Sequence, residues 1–288
     1  MKFIPVIVKL LLVASVHFII VDVHAQYYDS LNLVNANWKI EKLARGVKLY
    51  TMHFNGKNLF RSNQYISFIE IKRKRKNEFD IAADSTKLIN TSEFAKNHHA
   101  LAAINGNFFN VTKGGSVAFV KKDGKIINDP PMNSRPSNNQ RAAIVIDNGV
   151  PSIKKWDGFI SWKNDLKGDD IMLTGPLLIF DRIYNPLDST GFTKNRHPRS
   201  CVGITKKGRT ILLVADGRNT QAYGLSLYEL ANIMKWLGCE NAVNLDGGGS
   251  STLWAKGQGI INHPSDNKKF DHEGERPVAN IIYIKRKK

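Results

Sequence analysis

The feature that most restricts this chain is a recurring local pattern, a short apolar run that stops abruptly at a polar, glycine-bearing turn. Ala100-Leu101-Ala102-Ala103-Ile104 stops at Asn105-Gly106-Asn107, and Ile171-Met172-Leu173 stops at Thr174-Gly175-Pro176. Thr210 to Ala215 stops at Asp216-Gly217-Arg218, and Ala242-Val243-Asn244-Leu245 stops at Asp246-Gly247-Gly248-Gly249-Ser250. Runs this short read as buried strands, and strand ends that hand polar residues to loops are where a rigid scaffold places chemistry. Between the last two runs, Leu227, Leu230, Ile233, Met234 and Leu237 recur at helical spacing. Ser226 with Glu229 makes a capping box, and Gly238 supplies the C-terminal stop. Strand, helix, strand in this order predicts a crossover unit within a mixed sheet.

Earlier in the chain, Val47 to Met52 and Tyr65 to Ile71 alternate apolar and polar residues, which predicts antiparallel strands with polar turns. Ser92 to His99 is predicted to cap and begin a helix through Thr91-Ser92-Glu93. The expected fold class is therefore α+β: a mixed β-sheet with packed helices in a single compact domain over residues 96–288, preceded by a β-rich extension over residues 26–95. A hydrophobic content of 42% provides enough apolar surface for a core and excludes a disordered chain.

The first 25 residues carry Lys2 and Lys9, an apolar stretch from Leu10 to Val21, and the small residues Val23 and Ala25 before Gln26. This is the signal-peptide pattern. The stretch is about 12 residues, short of the roughly 20 that span a bilayer. The expectation is an exported, periplasmic or extracellular protein that is not integral to the membrane. Export bears on the formal net charge of +17, which calls for anionic partners. Outside the cytoplasm those are glycans, phosphates or membrane surfaces, and no nucleic-acid partner is expected. The run Lys72 to Lys76 and the tail Lys285 to Lys288 read first as solvated strand ends. Only Cys201 and Cys239 are present, which excludes a disulfide scaffold and a cysteine-rich zinc site. The eight histidines show no ligand spacing, so neither a metal nor a cofactor is predicted.

Asp246 and its glycines form the strongest local signal. Three glycines let the backbone turn tightly and aim bare N–H groups at a ligand oxygen. The segment is not a P-loop, a nucleophile elbow or a dinucleotide fingerprint. Asp216 pairs with Asp246 across the predicted crossover, and two neighbouring carboxylates are the equipment of glycoside hydrolysis. Glu229 is a third candidate, although its capping role accounts for it without catalysis. Arg199, Arg218 and Arg276 are each able to bind a phosphate or carboxylate bidentately.

Taken in order, Ala103-Ile104-Asn105-Gly106-Asn107-Phe108-Phe109, Arg199 to Gly203, Ala215 to Arg218, Leu227 to Ala231 and Asn241 to Ser250 resemble the motifs of the phosphodiester glycosidase family. His263-Pro264-Ser265-Asp266 and Arg276-Pro277-Val278 resemble its closing segments. The resemblance implies a hydrolase that splits the bond between a sugar's anomeric carbon and a phosphate, of N-acetylglucosamine-1-phosphodiester type. It implies catalytic roles for Asp246 and Asp216, with Glu229 as the reserve. Arg199, Arg276 and the Gly247, Gly248 and Gly249 amides are then expected on the phosphate, and Asn105, Asn107 and Phe108 on the sugar. Thr174, Gly175, Arg218 and Ser250 complete the expected lining. The Arg at position 218 departs from the family pattern. Two other readings stand beside this one: a glycosidase on unphosphorylated envelope or host glycans, and a non-catalytic glycan-binding surface protein.

Overall fold

The computed structural model describes residues 26–73, 76–131 and 136–287. The expected signal peptide, and Lys74 and Arg75 of the basic run, lie outside them. With strands numbered in chain order, an eight-stranded sheet runs β1 (Lys39–Ala44), β2 (Val47–Leu59), β3 (Ser62–Ile71), β14 (Thr210–Ala215), β13 (Arg199–Thr205), β15 (Cys239–Asn244), β11 (Leu177–Phe180) and β12 (Ile183–Tyr184). A five-stranded sheet runs β7 (Lys125–Asn128), β6 (Val120–Lys122), β10 (Asp170–Thr174), β8 (Ala142–Asp147) and β9 (Val150–Lys155). A second runs β17 (Gly259–Ile260), β16 (Leu253–Ala255), β5 (Ala102–Asn105), β18 (Asn280–Arg286) and β4 (Asn77–Ala83).

The β14 sequence shows why the sheets stack. Alternate residues of a strand face opposite ways. Leu212 and Val214 pack with Val47, Ile69 and Val202 against Ile104, Ile144 and Ile282 of the two smaller sheets. Ile211, Leu213 and Ala215 face the other way, onto Leu227, Leu230, Ile233 and Met234 of the helix Leu227–Trp236. Burial on both faces is why these strands read as unbroken apolar runs. That helix carries the predicted capping box, with Ser226 and Glu229 each bonding the other's backbone.

The molecule is richer in sheet than the α+β expectation of packed helices implied, and its ladders are antiparallel rather than mixed. β14 and β15 do run parallel to one another, as the crossover required, but β13 is inserted between them and pairs antiparallel with both. Nothing local to the crossover encodes that insertion, because β13 precedes it in sequence. The β-rich N-terminal residues supply β1 to β4, and β3 and β4 are hydrogen-bonded to β14 and β18. The helix Thr91–Asn97 forms without the expected side-chain cap, since Ser92 turns to the Glu275 carboxylate instead. Cys201 and Cys239 are both buried and free. Among the described residues no helix is long and apolar enough to cross a membrane.

Candidate active site

β14 and β15 end side by side, separated only by β13, and carry Asp216 and Asp246 past their ends. The backbone at Asp246 is held on two sides: its N–H donates to the Gly106 carbonyl (3.0 Å), and Asn105 Nδ2 donates to its carbonyl (2.8 Å). Its carboxylate accepts the Gly247 N–H at 2.9 Å. The loop needs its glycines for reasons of space. Gly248 lies at φ +64°, and a Cβ there would sit 2.9 Å from Arg218 Nη2. A Cβ on Gly249 would fall 1.8 Å from Asp266 Oδ1 and 2.6 Å from Arg276 Nη2. Two guanidinium groups therefore lie directly against the glycine backbone. Arg276 is oriented by Asp266 through two bonds of 2.7 Å, a bidentate geometry that fixes its plane.

Burial pushes the Asp246 carboxyl up to about 6, against the pull of the Gly247 N–H, Arg276 and Arg218. A strand-end carboxyl that changes protonation near neutrality suits acid–base or nucleophilic work.

Asp216 is 1% exposed and its carboxylate is fully engaged. It accepts from the His263 N–H (2.9 Å), His263 Nδ1 (2.8 Å) and Asn262 Nδ2 (3.0 Å). Burial raises its pKa, and the bonds from His263 and Asn262 oppose that rise. With a carboxylate opposite, Nδ1 is the protonated nitrogen of His263, which leaves Nε2 as its other edge. The ring stacks on Phe270 at 3.7 Å and His272 at 4.5 Å, with Tyr65 edge-on at 4.6 Å. Asn262 Nδ2 also donates to the Ser251 carbonyl at 2.9 Å, so one amide joins the Asp216 pair to the loop that begins at Asp246.

Several residues expected on the substrate have interior roles instead. Arg199 is fully buried, gives Nε to the Leu225 carbonyl (2.9 Å) and Nη2 to those of Phe192 and Asn195, and lies over the Phe192 ring. It holds loops together from the interior, with none of its surface open to solvent. Glu229 is taken up by the capping box and by Arg196. Asn105 also accepts from the Ser200 hydroxyl, and Asn107 is bonded to Leu173, Ser116 and Asn280, so both brace loops from beneath. Thr174 donates to the Asn244 carbonyl, and Gly175 accepts from Asn244 Nδ2 while packing on Asn138. Phe108 does reach the surface, where it and Phe192 line a hollow of about 340 Å³ with Asn138 and Thr190. Sequence reasoning missed His263 as a partner of Asp216: the two are 47 positions apart, and no spacing rule joins them. The one available signal was its place in the closing segment.

A chain with this stacked antiparallel scaffold and a glycine loop between guanidiniums is matched by the phosphodiester glycosidase family over residues 98–285. The chain belongs to that family of hydrolases. It is 27% identical over 186 residues to the mouse N-acetylglucosamine-1-phosphodiester alpha-N-acetylglucosaminidase, covering 57% of this chain and 33% of the mouse protein. Identity to the bovine enzyme of that name is 41% over 69 residues, 24% of this chain and 13% of the relative. The chain thus spans a third or less of the length of these relatives. The zebrafish catalytic domain of that name, auto-inhibited by its pro-peptide, superposes with a TM-score of 0.66 at 20% identity, over 88% of this chain and 86% of that one. A putative exported protein of Burkholderia pseudomallei shares the fold at a TM-score of 0.54 and 16% identity, over 78% of this chain and 74% of that one.

Proposed function

We propose that the protein is an exported hydrolase that splits a sugar-1-phosphodiester, of N-acetylglucosamine-1-phosphodiester type, at the anomeric carbon–oxygen bond. The observation that carries this reading is the half-buried Asp246 carboxyl, raised to about 6, at the root of a glycine loop that two guanidiniums cover. In this reading Arg218, Arg276 and the Gly247 to Gly249 backbone receive the phosphate and stabilise the charge that grows on it as the bond breaks. Phosphate is already a good leaving group, so the demand falls on the anomeric carbon, whose transition state has oxocarbenium character. Asp246 in its ionised form acts there, as nucleophile or as base for water. The Asp216–His263 pair follows the logic of a buried carboxylate that fixes an imidazole's tautomer and aim. His263 Nε2 is then the edge that takes or returns a proton. Phe108 offers an apolar face to a sugar ring.

The test is release of free sugar from GlcNAc-1-phosphodiesters and from a panel of teichoic-acid-like and unphosphorylated glycans, by wild type and Asp246→Ala side by side. The expected result is release from a phosphodiester and at least about a hundredfold loss in the variant, the size typical of a removed acid–base group. Equal release by both removes Asp246 from the mechanism. Release only from unphosphorylated glycans overturns the substrate class.

A further inference from the structure

We infer that the end of the large sheet remote from Asp246 is a binding groove for a linear polyanion carrying phosphate or sulfate groups. The groove crosses β1, β2, β3 and β14 on the face that carries the Leu227–Trp236 helix. Lys42 lies directly opposite Lys48 in the β1–β2 ladder, and Lys48 lies directly opposite Glu70 in the β2–β3 ladder. Like charges placed opposite one another across a ladder are destabilising unless something neutralises them. Glu70 is the acid within reach, but it is bound to Arg209 Nη1 at 2.6 Å. Two hollows flank it. One, of about 200 Å³, is lined by Lys42, Arg45, Lys48 and Lys72, and the other, of about 290 Å³, by Lys206, Lys207 and Arg209. Among the described residues, Lys42, Arg45, Lys48, Lys206 and Lys207 have no carboxylate within ion-pair distance, and all five are exposed.

At a strand spacing of roughly 4.8 Å, the row from β1 to β14 is about 15 Å long, room for several charges of one extended chain. The occupant is a polymer rather than a bilayer. The cations line hollows that a flat membrane does not enter, and neither hollow presents an exposed large apolar side chain to insert. The groove is separate from the hydrolytic site: from Arg209 to Asp216 along β14 is about 23 Å at 3.3 Å per residue. Its binding is independent of the proposed hydrolysis.

The test is fluorescence anisotropy of labelled long-chain polyphosphate, with heparin and anionic phospholipid vesicles as parallel arms, across a salt series. Lys42→Glu/Lys48→Glu and Lys206→Glu/Lys207→Glu are each compared with Lys154→Glu/Lys155→Glu, which makes the same charge change on β9. The neutral pair Lys42→Gln/Lys48→Gln and melting curves check folding. The expected result is a tenfold or greater loss in each groove variant, a shallower salt dependence, and less than about threefold loss in the control. The ratio of the polyphosphate and heparin affinities tells which anion is preferred. Hydrolysis of a small soluble phosphodiester stays within twofold in every variant. An equal loss in the control reduces the effect to net charge and overturns the groove, as does binding to vesicles with none to either polymer.

Discussion

Two buried acidic regions of this molecule face the same electrostatic problem and resolve it differently. One is Asp246 in its glycine loop. The other joins Asp80 of β4, Asp123 of the β6–β7 turn and Asp170 of β10, whose oxygens lie close enough together to share a cation. There the Lys122 ammonium occupies the centre, at 2.5 Å from Asp80, 2.7 Å from Asp123 and 3.5 Å from Asp170. Asp170 is pushed up by burial and by the neighbouring Asp80 charge, although the Asp123 N–H and Lys122 oppose that. Burial also presses on Asp80, but Lys122, Lys285 and the Tyr283 hydroxyl outweigh it and hold Asp80 well below the usual range. Both regions therefore contain a carboxyl raised by burial. The difference lies in the counterions. Lys122 sits among the Asp80, Asp123 and Asp170 carboxylates as a stitch between two sheets, whereas Arg218 and Arg276 lie against the glycine backbone beside Asp246 rather than between carboxylates. A raised pKa by itself does not name a catalytic acid; its surroundings do.

Four measurements test that contrast. The widest separation is expected in turnover: Asp246→Asn loses at least about a hundredfold and Asp170→Asn less than about threefold, measured as sugar release on one phosphodiester. Comparable losses in the two would erase the distinction. Stability reverses the ranking. Lys122→Met leaves the buried Asp170 without a cation, although Asp80 keeps Lys285, and costs about 2–4 kcal/mol in urea unfolding, while Arg218→Met, an exposed residue, changes stability by less than about 0.5 kcal/mol.

A third contrast depends on pH. Asp246 has a folded-state value of about 6 against an unfolded value of about 3.9. The folded state thus binds the extra proton between those values, and stability is lost as pH rises through them. Asp246→Asn is expected to gain about 1–2 kcal/mol at pH 7.5, after discounting for partial solvent contact, and nothing at pH 4. Wild-type turnover by the ionised carboxylate correspondingly climbs as pH passes about 6. The fourth measurement is a single modest effect, that of Gly248→Ala. Its φ of +64° and the 2.9 Å approach of Arg218 Nη2 predict about 1 kcal/mol of destabilisation in thermal melts, because the flexible guanidinium is able to move aside.

Strand ends and the turns that follow them were legible because they are local. An apolar run that stops at Asp-Gly-Gly-Gly-Ser states both a buried strand and a tight turn, and the structure has the strand Cys239–Asn244 and the turn Gly248–Ser250. Ser226 and Glu229 stated the helix start, and the structure has that capping box. Other features were not legible. Arg199 in a Pro-Arg-Ser sequence looks the same whether its guanidinium meets solvent or three backbone carbonyls, and the choice belongs to the Phe192 and Leu225 segments that fold over it. The asparagines misled for a similar reason, since an amide that braces a loop has the same composition as one that grips a sugar.

The buried strands, the capped helix and the glycine loop at Asp246 could be read without coordinates, because each depends on residues within a turn or two of one another, and the basic excess is a plain sum over the chain. Long-range packing set the place of β13 between β14 and β15, closed His263 on Asp216, aimed Arg276 through Asp266 at the glycine loop, and brought lysines from separate hairpins to two hollows beside Glu70. Those pairings join segments far apart in the chain, and they are selected by which faces bury together rather than by any local preference.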